Sequence, residues 1–342
     1  MSTLLSTWSR NVQSVPANYV FPEDKRPGGD IAAPVCKDIP VIDLSRLDDL
    51  DHVEIIQQIM KANHDLGMFQ VTNHGVSEEL MDETMNLFKE FFNMPAEDKA
   101  MYYSEDGTKG FRLYTSGMNY IKDGINLWKD TVRHICHPLE AHIQSWPEKP
   151  ARYREVVGVY SVEMRKLSLR ILDLICEGLG VELGYFGDEL SKLHELAAHH
   201  YPPCPDPRLV LGFGGHTDTN LLTLLQQDMY GLQIFKDGQW LGVEPIPHAF
   251  VINICDQLEV ISNGKLKSAR HRVVTNTNVA RTSLATFISP SLESIIEPER
   301  ALVSASEPQL FKSFRFKEYR DTYIANLREP KGTSPALEAY KL

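Results

Sequence analysis

The sequence of 342 residues contains little cysteine and no long apolar run. Its five cysteines are odd in number, widely spaced and without a Cys-X-X-Cys pair, so neither a disulfide framework nor a thiolate zinc site is indicated. No stretch approaches 18 consecutive apolar residues, and the apolar run near the start is too short for a signal peptide. We therefore expect a cytoplasmic protein with no membrane partner.

Basic residues are also scarce, with 35 Lys and Arg against 46 Asp and Glu and a formal net charge of −11. Nonspecific nucleic-acid binding depends on clustered basic side chains that release counterions, and the sequence has no such cluster. The hydrophobic fraction of 42% and the charged fraction of 24% are those of an ordinary globular protein. We expect a monomer that binds a small molecule and no nucleic acid.

The pattern of apolar residues divides the chain near residue 190. Residues 1 to about 38, with four prolines and little periodicity, are expected to form an extended arm. The rest of residues 1–190 is predicted to be an N-terminal preface of helices and strands that ends in a long support helix. Its predicted elements are a strand at 40–45, a helix at 53–66, a strand at 68–72, a helix at 77–92 and the support helix at 150–179.

Residues 191–342 have a different pattern, in which short β-like runs are separated by Gly, Asp and Asn. Many short strands at close spacing favour an all-β sandwich or barrel over a parallel α/β sheet. The predicted strands lie at 221–225, 232–235, 250–254, 258–261, 271–274 and 282–288.

Three residues in this β region have the spacing of a metal site. His216 and Asp218 are two positions apart and would share one face of a strand, while His271 follows 55 residues after His216. Two imidazoles and one carboxylate on one face of an octahedron leave three positions open, as a non-haem Fe(II) oxygenase requires for a bidentate cosubstrate and O₂. The His-X-Asp pair alone is weak evidence, since such a pair is more often a surface contact or a satisfied core group.

Arg281 and Ser283 lie on the next predicted strand, ten residues beyond His271. A guanidinium group binds a carboxylate through two parallel hydrogen bonds, and a hydroxyl on the same face can donate a third. An α-keto diacid could then chelate iron at one end and contact Arg281 at the other. The alternative is that Arg281 is a surface residue at the start of a strand, but the ordered set of three elements is far more specific than any one.

With these motifs the sequence resembles the plant 2-oxoglutarate- and Fe(II)-dependent dioxygenases, nearly from end to end. Its segments Trp128-Lys-Asp130 and Ser145-Trp-Pro-Glu-Lys-Pro150 are most similar to hyoscyamine 6-beta-hydroxylase-like enzymes. The other matching segments are Pro40-Val-Ile-Asp-Leu44, Gly67-Met-Phe-Gln-Val-Thr-Asn-His-Gly75, Phe91-Phe-Asn-Met-Pro95, Tyr201-Pro-Pro-Cys-Pro205, Ser262-Asn-Gly264 and Lys267-Ser-Ala-Arg-His-Arg-Val273.

The resemblance implies a mainly β fold with surrounding helices, built on a distorted double-stranded β-helix, or jelly roll. It implies Fe(II) on His216, Asp218 and His271, 2-oxoglutarate on Arg281, Ser283 and Tyr201, O₂ as the oxidant and ascorbate as a reductant. The implied reaction hydroxylates a small specialised metabolite, such as an alkaloid, or oxidises it further by epoxidation, desaturation or demethylation.

Two positions depart from the family pattern, and two other functions stay open. His199 replaces the usual asparagine two residues before Tyr201, and Cys255 replaces the usual glycine of an Asn-Ile-Gly-Asp segment. A zinc hydrolase could use His216, Asp218 and His271 with a metal-activated water. A non-catalytic receptor or regulator could keep the same fold. His74 is predicted to stabilise a turn and to bind no metal.

The substrate is expected to contact segments outside the shared motifs. The C-terminal stretch 311–323 carries aromatic and basic residues at near-helical spacing, and we expect Phe314 and Phe316 to belong to a lid that shapes the pocket with Phe287. The alternative is a helix that only packs on the outside of the barrel. A cationic substrate would require a carboxylate, for which Asp123 is the nearest candidate because 114–119 contains none.

Overall fold

The fold is described from a computed structural model covering residues 4–47, 51–117, 124–328 and 336–342. The helices are α1 (Leu5–Trp8), α2 (His52–Asp65), α3 (Glu78–Asn93), α4 (Ala96–Ala100), α5 (Leu139–His142), α6 (Tyr153–Leu179), α7 (Asp256–Ile261) and α8 (Phe316–Arg328). The first seven strands are β1 (Val41–Asp43), β2 (Met68–Thr72), β3 (Phe111–Thr115), β4 (Asp130–Ile135), β5 (Leu193–Tyr201), β6 (Phe213–His216) and β7 (Leu222–Gln227). The others are β8 (Leu232–Lys236), β9 (Gln239–Gly242), β10 (Phe250–Ile254), β11 (His271–Val273), β12 (Arg281–Ser289), β13 (Ile295–Ile296) and β14 (Phe314–Arg315).

Two sheets form the core of the jelly roll. The larger has eight strands in the order β1-β2-β10-β7-β12-β5-β4-β3, and all of its pairs except β1 with β2 are antiparallel. The smaller has the order β6-β11-β8-β9. Apolar side chains of both sheets, including Leu225, Leu232, Val273 and Ala285, form one buried cluster. The space between the sheets is therefore lined by alternate residues of each strand.

The outer face of the large sheet is covered by α3 and α6. Gln226 on β7 accepts a hydrogen bond from the Tyr160 hydroxyl of α6 at 3.0 Å, and its amide donates to the Met81 carbonyl of α3, also at 3.0 Å. Because neighbouring side chains of a strand point to opposite faces, Gln227 faces the space between the sheets. The helices thus fix which face of β7 is available to a ligand.

Most of the predicted elements are confirmed. The helix at 53–66 is α2, the helix at 77–92 is α3 with Ser77 as its N-cap, and the support helix is α6, which ends at Gly180 in the left-handed conformation (φ 72°). The predicted strands at 40–45 and 68–72 correspond to β1 and β2, and all the C-terminal strands except 258–261 are present.

Two predictions are wrong. Residues 258–261 lie in helix α7, because a short run with three apolar residues does not distinguish a strand from a buried helix, and acidic residues in the first turn (Asp256, Glu259) favour the helix. The N-terminal arm contains helical turns, since α1 and three 3₁₀ segments lie within residues 4–38. Trp8 and Tyr19 of this arm pack edge-on against Trp128, so tertiary contacts set its conformation.

The predicted boundary near residue 190 stays a prediction. The eight-stranded sheet takes β1 to β4 from before this point and the rest from after it. No helix within the described residues has both the length and the apolar composition needed to cross a membrane. Asp123 lies outside the described residues, as does part of the segment 114–119.

Candidate active site

The structure brings the three predicted metal ligands together at one end of the small sheet. His216 and His271 are cross-strand partners on β6 and β11, and Asp218 Oδ1 lies 3.5 Å from His216 Nε2 and 3.8 Å from His271 Nε2. One ligand atom from each residue lies within 4.8 Å of the other two. The prediction that Asp218 shares a strand face with His216 is wrong. Strand β6 ends at His216, and Asp218 lies in the following turn.

Backbone carbonyls orient both imidazole rings. The Nδ1 atom of His216 lies 2.8 Å from the Gly214 carbonyl oxygen, and Nδ1 of His271 lies 2.9 Å from the Ala269 carbonyl oxygen. A carbonyl only accepts hydrogen bonds, so each Nδ1 carries the proton and each Nε2 keeps a lone pair directed at the shared site. The same arrangement orients metal-binding histidines in general.

The titration of these groups also suits a divalent cation. Burial and the nearby His216 lower the pKa of His271 to about 4, although Asp218 opposes the shift. Burial raises the pKa of Asp218, but the two histidines outweigh it and hold that pKa below its usual range. At neutral pH His271 is therefore a neutral imidazole and Asp218 an ionised carboxylate, the forms that bind a metal.

A second cluster lies on the inner face of the large sheet. Arg281 on β12 is 1% exposed and is the cross-strand partner of Tyr201 on β5. Its guanidinium donates to Ser283 Oγ at 3.2 Å and to Gln227 Oε1 at 2.9 Å, while its Nε donates to the Met229 carbonyl at 3.1 Å. Arg281 is therefore a buried residue held in a defined orientation, and the alternative of a surface arginine is excluded.

Two glycines allow this cluster to pack closely. A Cβ atom at Gly231 would lie 2.6 Å from Cδ of Arg281, and one at Gly212 would lie 2.5 Å from the Tyr201 ring. Any larger residue would displace these side chains. The Nε2 of Gln227 is buried next to Arg281 without a hydrogen-bond partner among the described residues. An unpaired buried donor beside an arginine fits a site that receives a carboxylate.

Lys129 lies on a third side of the site. Its Nζ is 3.6 Å from the centre of the Phe213 ring, and that ring stacks on His216 with centroids 4.1 Å apart and an interplanar angle of 19°. Burial and the nearby Arg133 hold the pKa of Lys129 far below its usual range.

Helix α8 contacts the metal-binding turn through Asp256. The Tyr319 hydroxyl donates to Asp256 Oδ2, and the Thr217 hydroxyl donates to the same oxygen at 3.1 Å. The Asp256 backbone N–H donates to the Asp218 carbonyl at 3.0 Å. Thr217 stands between two of the candidate ligands, so Asp256 links the C-terminal helix to the turn that carries them.

The three predicted substrate residues occupy different environments. Phe287 is partly exposed on the inner side of β12, 5.7 Å from the Arg133 guanidinium. Phe314 and Phe316 are 4% and 1% exposed within the main core cluster, and Phe314 packs on Tyr340 with ring centroids 4.3 Å apart. No described contact joins these two residues to the metal ligands, and their role in a lid stays a prediction.

The two departures from the family pattern are both accommodated. His199 Nδ1 lies 3.0 Å from the Thr131 hydroxyl, so the polar contact at that position is kept in another form. The Cys255 thiol is fully buried, 3.4 Å from the Thr223 hydroxyl, and fills the volume that the glycine would leave. His74 stabilises its turn as predicted, since Nδ1 accepts from the Val76 N–H at 3.2 Å.

Sequence reasoning missed the roles of Gln227, Lys129 and Asp256. The segment Trp128-Lys-Asp130 stands out in the sequence, but nothing in it shows that Lys129 is buried beside the metal ligands. Asp256 follows Asn253, whose amide lies 3.5 Å from Asp218 Oδ2, and both belong to the segment that drew attention only for Cys255. The available indication was a pair of polar residues at the C-terminal end of a buried strand, β10.

Comparison with known proteins agrees with this geometry. Residues 193–290 match the 2OG-Fe(II) oxygenase superfamily, and residues 39–152 match the N-terminal region of non-haem dioxygenases in morphine synthesis. The chain is 47% identical to hyoscyamine 6-dioxygenase of Hyoscyamus niger, covering 95% of this chain and 96% of the relative. It is 39% identical to 2'-deoxymugineic-acid 2'-dioxygenase of Hordeum vulgare, covering 91% and 90%.

A solved structure shows the same fold. The crystal structure of JOX2 in complex with 2OG, Fe and JA superposes with a TM-score of 0.86 at 33% identity, covering 100% of this chain and 98% of JOX2. The jelly-roll prediction is thereby confirmed. The protein is a dioxygenase that uses Fe(II), 2-oxoglutarate and O₂, and it belongs to the 2OG-Fe(II) oxygenase superfamily.

Proposed function

We propose that the chain hydroxylates a small specialised metabolite, and that His216, Asp218 and His271 hold the iron while Arg281, Ser283 and Tyr201 hold 2-oxoglutarate. The observation that supports this most is the convergence of three ligand atoms within 4.8 Å, two of them on imidazoles whose Nδ1 faces a carbonyl. The named relatives differ in the substrates that their names carry, so the family alone leaves the substrate open.

The cluster around Arg281 suits the far end of the cosubstrate. Its guanidinium presents a planar pair of N–H donors, Ser283 offers a hydroxyl, and Gln227 offers an unpaired N–H. Burial and the close approach of Gly231 hold the arginine in place, so little side-chain entropy is lost when a carboxylate binds. Ser283 and Tyr201 flank Arg281 along β12 and β5, on the same inner face of the sheet.

Iron with 2-oxoglutarate and O₂ supplies the oxidising chemistry. The residues of the chain bind and orient the reactants and keep water from the site, and this positioning decides which substrate bond is oxidised. Hydroxylation makes the fewest demands on the pocket, because it involves a single oxidation of the substrate. Epoxidation, desaturation and demethylation would require a second oxidation or a redirected reaction, and the metal ligands do not select among them.

The two alternative functions gain no support from the site. A zinc hydrolase would give no role to the buried Arg281, Ser283 and Gln227 cluster. A receptor would not need three metal ligands with preset tautomers. An alkaloid is one substrate class among several, and a cationic alkaloid would require a carboxylate in the pocket.

The proposed function is tested by supplying Fe(II), ascorbate and 2-oxoglutarate and measuring succinate. We expect succinate to form slowly without a substrate and faster with the right one. Addition of a panel of phenolic, terpenoid, alkaloid and carboxylic compounds then identifies the class that stimulates turnover, with mass spectrometry reporting a product heavier by one oxygen atom. Absence of succinate under all of these conditions, in protein that binds Fe(II), would refute the proposal.

A further inference from the structure

The amine of Lys129 is buried without a counter-ion among the described residues. Its side chain is 2% exposed, and its ammonium makes neither a hydrogen bond nor an ion pair within residues 4–47, 51–117, 124–328 and 336–342. Within the described part of the chain, Nζ lies over the face of the Phe213 ring. A buried ammonium is costly to desolvate unless an anion accompanies it, so its presence here calls for an explanation.

Two carboxylates close to this segment are engaged elsewhere. Asp130 follows Lys129 directly, but it accepts hydrogen bonds from the backbone N–H groups of Leu5 and Ser6 at 2.9 and 2.8 Å. Glu195 is bound by the Arg133 guanidinium through two of its nitrogens. Neither carboxylate can therefore neutralise Lys129 without losing its own partner.

The position of Lys129 points to the substrate side of the metal site. Its Nζ and the His216 ring each lie close to the centre of the Phe213 ring, at 3.6 and 4.1 Å, and both cannot occupy one face without overlapping. Phe213 is thus sandwiched, with the candidate iron ligand on one face and the ammonium on the other.

From this geometry we infer that Lys129 anchors the substrate, and that the substrate is a small carboxylic acid whose carboxylate pairs with the ammonium. Binding would supply the counter-ion that favours the protonated amine and place the apolar body of the acid along Phe213 toward the metal. Cationic amines are disfavoured, since the carboxylates of Asp130 and Glu195 already have partners. The inference rests on the proposed function and narrows its substrate class.

The test compares probes that share one skeleton and differ in charge: 3-phenylpropanoic acid, its methyl ester and 3-phenylpropylamine. Isothermal titration calorimetry of the holoenzyme, with Mn(II) in place of iron and with 2-oxoglutarate present, measures binding without turnover. We expect the acid to bind about tenfold or more tightly than the ester, as for one charge-assisted contact, and the amine not to bind. Equal affinity for acid and ester, or no binding of the acid, would overturn the inference.

Two variants separate anchoring from a structural role. Lys129→Met keeps the length of the side chain and removes the charge, so it should lose the preference for the acid. It should also raise the melting temperature of the substrate-free protein, since a buried polar amine is replaced by an apolar group. Lys129→Arg should retain part of the preference. Lys166→Met, at an exposed lysine paired with Glu163, is the matched control and should change neither measurement.

Unchanged acid preference in Lys129→Met would contradict the assignment, whatever the melting temperature of the variant. Succinate release in the absence of substrate, measured on the same wild-type preparation, keeps the two proposals apart. Succinate with no preference for the acid would defeat the Lys129 assignment alone. Absence of succinate would defeat the proposed function.

Discussion

The two sides of the active site differ in how their cations are paired. On the cosubstrate side, Arg281 makes three hydrogen bonds to side chains and backbone and is held by a glycine that lets it approach closely. On the other side, the Lys129 amine contacts an aromatic face and, among the described residues, no carboxylate. A site that binds the same molecule in every cycle can be preorganised by the fold. A site that selects a substrate can instead leave one polar group unpaired until the substrate supplies its partner.

The largest expected effect comes from removing a metal ligand. His216→Ala, Asp218→Ala and His271→Ala should each lower succinate formation by more than about a hundredfold, because even changes behind a metal ligand cost about 10- to 100-fold. Binding of Co(II), followed by its visible absorption, should weaken in parallel, while the circular dichroism spectrum stays that of the wild type. His74→Ala is the control, since His74 stabilises a turn outside the site. Full activity in any of the three would refute the ligand assignment.

The next largest effect tests the cosubstrate side. Arg281→Lys keeps the charge but loses the planar pair of donors, so the KM for 2-oxoglutarate should rise about tenfold or more, corresponding to about 1.5–3 kcal/mol. Steady-state succinate formation at varied 2-oxoglutarate measures it.

Arg272→Lys is the matched control for that variant, because Arg272 is equally buried but donates to Gln233 Oε1 at 2.7 Å, away from the cosubstrate cluster. It should lower stability and leave the KM for 2-oxoglutarate unchanged. A normal cosubstrate requirement in Arg281→Lys would remove Arg281 from this role.

The sequence allowed more of the cosubstrate side to be predicted than of the substrate side. The ligands and Arg281 belong to short motifs whose spacing reflects the chemistry, so their residue types are informative on their own. The role of Lys129 depends on long-range packing, since the arm that fixes Asp130 lies more than 120 residues away in the chain. The run at 258–261, with three apolar residues, was too short to be assigned to α7, and the turn that carries Asp218 could not be distinguished from a strand.

A smaller effect concerns the link between α8 and the metal-binding turn. Tyr319→Phe removes the hydroxyl that donates to Asp256 and should weaken Co(II) binding several-fold and lower the free energy of unfolding by about 1–3 kcal/mol. Tyr340→Phe is the control, because that hydroxyl bonds to Thr322 of α8, at 2.9 Å, and not to Asp256. If both variants bind Co(II) as the wild type does, α8 does not position the metal ligands.

The smallest effect on turnover comes from aromatic residues of β12 and of the C-terminal segment, and it decides the role of that segment. Phe287 lies on the inner side of β12 beside Arg133. If it contacts the substrate as predicted, Phe287→Ala should reduce the product formed per succinate a few-fold with little change in stability. Phe314 is buried against Tyr319 and Tyr340, and Phe314→Ala should lower the free energy of unfolding by about 3–5 kcal/mol.

Measuring succinate, product and thermal unfolding together for these two variants separates a lid from simple packing. If the segment is a lid, Phe314→Ala also uncouples the reaction at temperatures where it is fully folded, because water then reaches the metal site. If it only packs, product per succinate stays at the wild-type value in Phe314→Ala and falls only in Phe287→Ala. The substrate side would then be formed by the strands and by Lys129, with α8 contributing stability through Tyr319.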